Sequence, residues 1–129
     1  MTTLGLLAAA LLFGGMTLYS FGFAAFLFTA LPPDRAGPLI RRAFPHFYLF
    51  VIATAAAAAA LLWPSDRPAA LALAAIALTT VPNRQVLMPA INAATDAGAK
   101  RRFAALHGLS VAVTLAHIAA AGWALSRFA

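Results

Sequence analysis

Residues Met1–Pro33, MTTLGLLAAALLFGGMTLYSFGFAAFLFTALPP, contain no charged side chain. About 20 apolar residues cross the hydrocarbon core of a bilayer, so this run crosses with length to spare and is expected to tilt. It reads as a transmembrane helix over about 4–31. A secretory leader would open on a basic residue and carry a shorter apolar core, and Met1-Thr2-Thr3 offers no basic group.

Three further runs follow outward from it. Pro32, Pro33 and Asp34 stop the first helix, and a loop carrying Arg35, Arg41 and Arg42 leads to an uncharged stretch, 43–63, with Pro45 in its first turn, where a missing N–H costs nothing. Pro64–Pro68 forms a tight turn with Asp66 and Arg67. The next apolar run reaches only Pro82, too short to span, so the third helix must continue to about Met88 before Pro89 ends it. A polar connection, 91–102, ends in Lys100, Arg101 and Arg102, and the fourth helix occupies 103–126. The expected fold is all-α, a single four-helix transmembrane domain.

The whole composition agrees. With 64% hydrophobic residues, 9% charged residues and a mean hydropathy of +0.90, the chain is too apolar for a soluble domain of 129 residues. The net charge of +6 would suggest nucleic acid if it formed one basic face, but the cations sit in breaks between apolar runs, where they orient helices instead. No nucleic-acid partner is expected; the partner is the lipid bilayer. Arg35, Arg41, Arg42, Arg84, Lys100, Arg101 and Arg102 fall on one side and Arg67 and Arg127 on the other, so the positive-inside rule places both termini outside the cytoplasm of a plasma (inner) membrane. The absence of Cys excludes disulfides, thiolate zinc sites and Cys-ligated clusters.

The fourth helix also suggests where a site could lie. His107, Ser110, Thr114 and His117 recur at spacings of three, four and three, which puts all four on one narrow stripe, and polar stripes on membrane helices face protein. Topology sets His46, Asn83, Arg84 and His107 at one depth near the basic boundary, with Ser110 and Thr114 continuing inward and His117 lying near the level of Tyr19. Arg84 can snorkel to the headgroups, whereas Asn83 snorkels poorly and is the better site candidate. Pro82 withdraws the donor for the Leu78 carbonyl, which adds an acceptor near Asn83.

Four readings of this track stand open. Ser, Thr and His can tie helices together; Asn83 and Arg84 can engage a small polar or anionic solute for binding or transport. Histidines of two helices can ligate a haem or metal in a small oxidoreductase, with His46 and His107 the one cross-helix pair; or His107 can act as a base without a cofactor. No Asp or Glu lies within a span, so a carboxylate relay or carboxylate-rich metal site is not expected. The leading reading is solute binding in a cytoplasm-facing polar pocket of His46, Asn83, Arg84, His107, Ser110 and Thr114, with Tyr19 and His117 secondary at mid-membrane and no metal. It predicts that His107→Ala and Asn83→Ala each abolish function without preventing insertion. Ala-rich faces such as 55–60 further suggest a homo-oligomer or an accessory subunit of a larger complex.

Three segments also resemble a known family. Leu27-Phe28-Thr29-Ala30-Leu31-Pro32 with Gly37, Leu39 and Ala43–Tyr48, then Asn83–Pro89, then Phe103 with Leu106–Ser110, are similar in order and kind to the transmembrane protein 205-like family. The resemblance implies four membrane helices and marks Phe44, Pro45, Asn83, Pro89, His107 and Ser110 as a shared site, without assigning chemistry. This chain departs from the family pattern at Phe47, where the family has Tyr, and at Thr114, where it has Asn. Thr80-Val81-Pro82-Asn83 bears a weaker similarity to the third helix of anthrone-oxygenase-like membrane proteins, which keeps an enzyme reading open.

Overall fold

The computed structural model describes residues 1–129, built from four helices and no strand. They are α1 (Thr2–Ala30), α2 (Pro33–Leu62), α3 (Arg67–Asp96) and α4 (Lys100–Ser126), each long and apolar enough to cross a membrane. Links this short force neighbouring helices to run antiparallel. α1 and α3 each pack against α2 and α4, so α1 and α3 stand on one diagonal of the bundle and α2 and α4 on the other. The link 97–99 turns on Gly98 at φ +65°, a conformation that needs no β-carbon, and the Ala99 N–H closes the end of α3 on the Ala94 carbonyl.

The helices extend past the apolar runs that mark them. α2 begins at Pro33 rather than near residue 43, α4 begins at Lys100, and α3 continues through Pro89 to Asp96, so most of the expected polar connection is helical. Hydropathy locates hydrocarbon, and a helix can continue into headgroups and water once it has been nucleated. Pro89 does not stop α3 because the turn before it is already widened. Residues Asn83–Leu87 are π-helical, with the Met88 N–H bonded to the Asn83 carbonyl five residues back. In a regular helix the Pro89 ring would clash with the Gln85 carbonyl; the π turn changes that spacing.

α1 carries a second π segment, Leu18–Phe23, in which the Ala24 N–H reaches the Tyr19 carbonyl. The two segments lie on diagonal helices that run in the same direction. Each begins 16 residues from its helix start, so both lie at one depth.

The apolar core lies entirely between that depth and the Asp66 turn. Ala9, Leu12 and Met16 of α1 meet Val51, Ala55, Ala58 and Leu62 of α2, Ala69, Leu73 and Ile76 of α3, and Ala121 and Ala124 of α4. Alanines at the contacts let the backbones approach closely, and that packing rather than hydrophobic burial drives association in lipid. Gly5 illustrates the fit, because a β-carbon there would lie 2.6 Å from the fully buried Leu62 side chain. The same end is laced together by polar groups. Asp66 caps α3 through the Ala69 N–H and accepts from Arg127 Nε at 2.7 Å, while the Thr2 and Ser65 hydroxyls hydrogen-bond to each other. Arg67 and Arg127 stack on Trp63 and Trp123 at 5.1 and 5.0 Å, an arrangement suited to the membrane interface.

Candidate functional site

At the inner limit of this core each of the four helices buries a polar side-chain atom. Ser20, Tyr48, Asn83 and Ser110 lie 18, 14, 16 and 16 residues from the helix ends Thr2, Leu62, Arg67 and Ser126, a depth of about 21–27 Å along each helix. Tyr48, Asn83 and Ser110 are 5%, 4% and 9% exposed. They form a buried polar layer.

The layer is only partly paired. Tyr48 Oη and Ser110 Oγ lie 3.3 Å apart, a long hydrogen bond across the α2–α4 diagonal. Ser20 Oγ and both Asn83 side-chain atoms, Oδ1 and Nδ2, are buried and make no hydrogen bond. These three are the buried side-chain polar atoms without a partner, and all belong to the two π segments. A buried unpaired polar group costs about 1–3 kcal/mol, and π segments recur at functional sites, so two independent features mark the same depth.

The sequence-predicted residues are distributed around this layer. Arg84 is half-buried and donates Nε to the Pro45 carbonyl at 3.1 Å and a terminal nitrogen to Gln85 Oε1 at 2.7 Å, tying α3 to α2. His46 is exposed at the rim of a groove of about 450 Å³ between α1 and α2. Tyr19 lines that groove, stacked on Phe47 at 4.5 Å and edge-on to Phe44. His107, one turn from Ser110, is exposed and stacks on Phe103 at 5.3 Å. Thr114 is half-buried with no side-chain hydrogen bond. His117 Nε2 meets Thr79 Oγ1 at 2.7 Å; the single Thr79 proton goes to the Ala75 carbonyl, so His117 donates.

Asn83 and Ser110 therefore share a layer, while His46, Arg84 and His107 stand in three different surroundings. No hydrogen bond joins His46 to His107, and no three His, Asp or Glu side chains converge as metal ligands. Sequence reasoning missed Ser20, the pairing of Tyr48 with Ser110, and the bidentate Arg41–Asp96 bridge (2.7 and 2.9 Å) that clamps α2 to the end of α3. Equal distance from the helix ends would have found the layer; neighbouring residues in sequence could not.

A second groove, about 350 Å³, runs between α3 and α4 with Asn83 at its base and Val86, Leu87, Ala90, Leu106, Leu109 and Val113 in its walls. No curated protein and no solved structure matches the chain. A family model does match residues 7–100, a range that holds both π segments, Tyr48 and Arg84. By that match the chain belongs to the family described as a domain of unknown function, DUF4149.

Proposed function

We propose that this is a membrane-embedded binding protein that takes a small polar solute at the Ser20–Tyr48–Asn83–Ser110 layer. The observation that carries the reading is the pair of unpartnered buried groups in π turns at one depth. A carboxamide presents two donors and two acceptor lone pairs, and each hydroxyl adds one donor, so the solute is one that both gives and accepts hydrogen bonds. The long Tyr48–Ser110 bond is the contact such a molecule would part most cheaply. Arg84 already serves Pro45 and Gln85, so it positions the Asn83 turn more than it attracts an anion. The motifs at Pro45 and Asn83 that resemble the transmembrane protein 205-like family support a shared site there. With the cation-rich end facing the cytoplasm of the inner membrane, the layer lies nearer that side and transport would begin there.

Small molecules extracted from wild-type protein and from Asn83→Ala, both purified from native membranes, test this reading by mass spectrometry. A species present at near one equivalent in the wild type and lost in Asn83→Ala is expected, with His107→Ala retaining it. Identical extracts from wild type and Asn83→Ala would overturn it.

A second reading, assembly with other copies or into a larger complex, is favoured by the exposed stripe Ala53, Ala56, Ala57 and Ala60 on α2. Cross-linking in native membranes separates the two, since a lone monomer counts against assembly.

A further inference from the structure

The groove between α3 and α4 has a chemical direction that the polar layer does not use. Its α4 wall, Leu106, Leu109 and Val113, continues one turn outward to Arg102 at the same four-three-four spacing, so the cation stands at the mouth of an apolar trough. Lys100, Arg101 and Arg102 are exposed and make no side-chain hydrogen bond or ion pair, and the nearby carboxylate of Asp96 is taken by Arg41. From Arg102 to Val113 is 11 residues, about 16 Å of helix, close to half of a hydrocarbon core about 30 Å thick. Arg102 and the groove wall together therefore match the depth of one leaflet, from headgroup level to the midplane. The groove's walls present carbon along the way, since the Asn83 amide atoms are sealed from the surface and the hydroxyl of Thr79, which also lines the groove, is taken by the Ala75 carbonyl and His117.

We propose that this groove is a binding site for one anionic phospholipid of the leaflet on the Arg102 side, with an acyl chain against Leu106, Leu109 and Val113 and the phosphate at Lys100–Arg102. Charge complementarity selects the headgroup: each cation near a headgroup favours an anionic lipid by about fivefold. The chain-length match selects a lipid over a soluble phosphate. The proposal stands independently of the solute at Asn83.

Native mass spectrometry of delipidated protein, titrated with phosphatidylglycerol or with phosphatidylcholine of the same chains, tests it. Wild type is expected to hold one phosphatidylglycerol with a preference of about fivefold or more over phosphatidylcholine. Arg102→Gln should lower that preference about fivefold, and Leu109→Trp, which fills an exposed part of the groove and leaves every charge in place, should lower phosphatidylglycerol binding to a similar degree. The site is overturned if Leu109→Trp binds as wild type does, because the preference would then be diffuse electrostatics. It is equally overturned if Arg102→Gln keeps the preference, or if glycerol 3-phosphate displaces the lipid at equal concentration.

Discussion

The two halves of this bundle have opposite characters. Towards the Asp66 turn, α1 meets α2 and α4 through alanine and leucine, and polar groups at the rim bond across helices. Towards the Arg101 end the interior holds few buried side chains, two widened helical turns and three buried polar atoms with no partner. In lipid, close packing is the main attraction between helices, so the first half holds the fold and the second can give up pairing for a site.

If that division is right, substitutions should act very differently on the two halves. Gly5→Leu forces a side chain against Leu62 in the packed half and should cost about 2–3 kcal/mol in detergent unfolding; a neutral result would break the division. Tyr48→Phe removes the one hydrogen bond of the layer and should cost no more than about 1 kcal/mol, because that bond is long. Gly108→Ala, where a β-carbon meets nothing within 4 Å, should add about 0.5 kcal/mol through helix propensity.

Acid should loosen the packed end. The Arg127 guanidinium, and after it the Ala69 N–H, hold the Asp66 carboxyl below the usual carboxylate range. A lowered carboxylate adds stability above its unfolded pKa and loses it as pH falls through the folded value, so melting temperature should drop on acidification below about pH 4. Asp66→Asn should flatten that part of the profile, and an unchanged profile would show that the Asp66–Arg127 pair does not hold the end.

The four spans were legible because hydropathy needs only composition over 20 residues, and Met1–Pro33 alone required a membrane. Helix ends were not, since Pro33–Arg42 and Pro89–Asp96 are polar enough to read as loops yet continue helices already formed. Asn83 was legible as a polar group that snorkels poorly, and Ser110 as a member of the polar stripe on the fourth helix. Ser20 was missed because a hydroxyl can satisfy itself on its own helix, as Thr17 does on Phe13, and only the folded structure reveals that it does not. The stripe from His107 to His117 was read as one track, but the helix meets different neighbours along its length: Tyr48 faces Ser110, Thr79 faces His117, and His107 is exposed, stacked on Phe103 of its own helix.

The central claim is that the Asn83 amide is kept unpaired for a ligand at a cost to stability. The direct measurement is the unfolding free energy of Asn83→Leu, close to isosteric, beside its retention of the co-purified solute. A more stable protein that no longer carries the solute is the predicted result; a less stable protein would mean that the amide is a structural tie and would contradict the account.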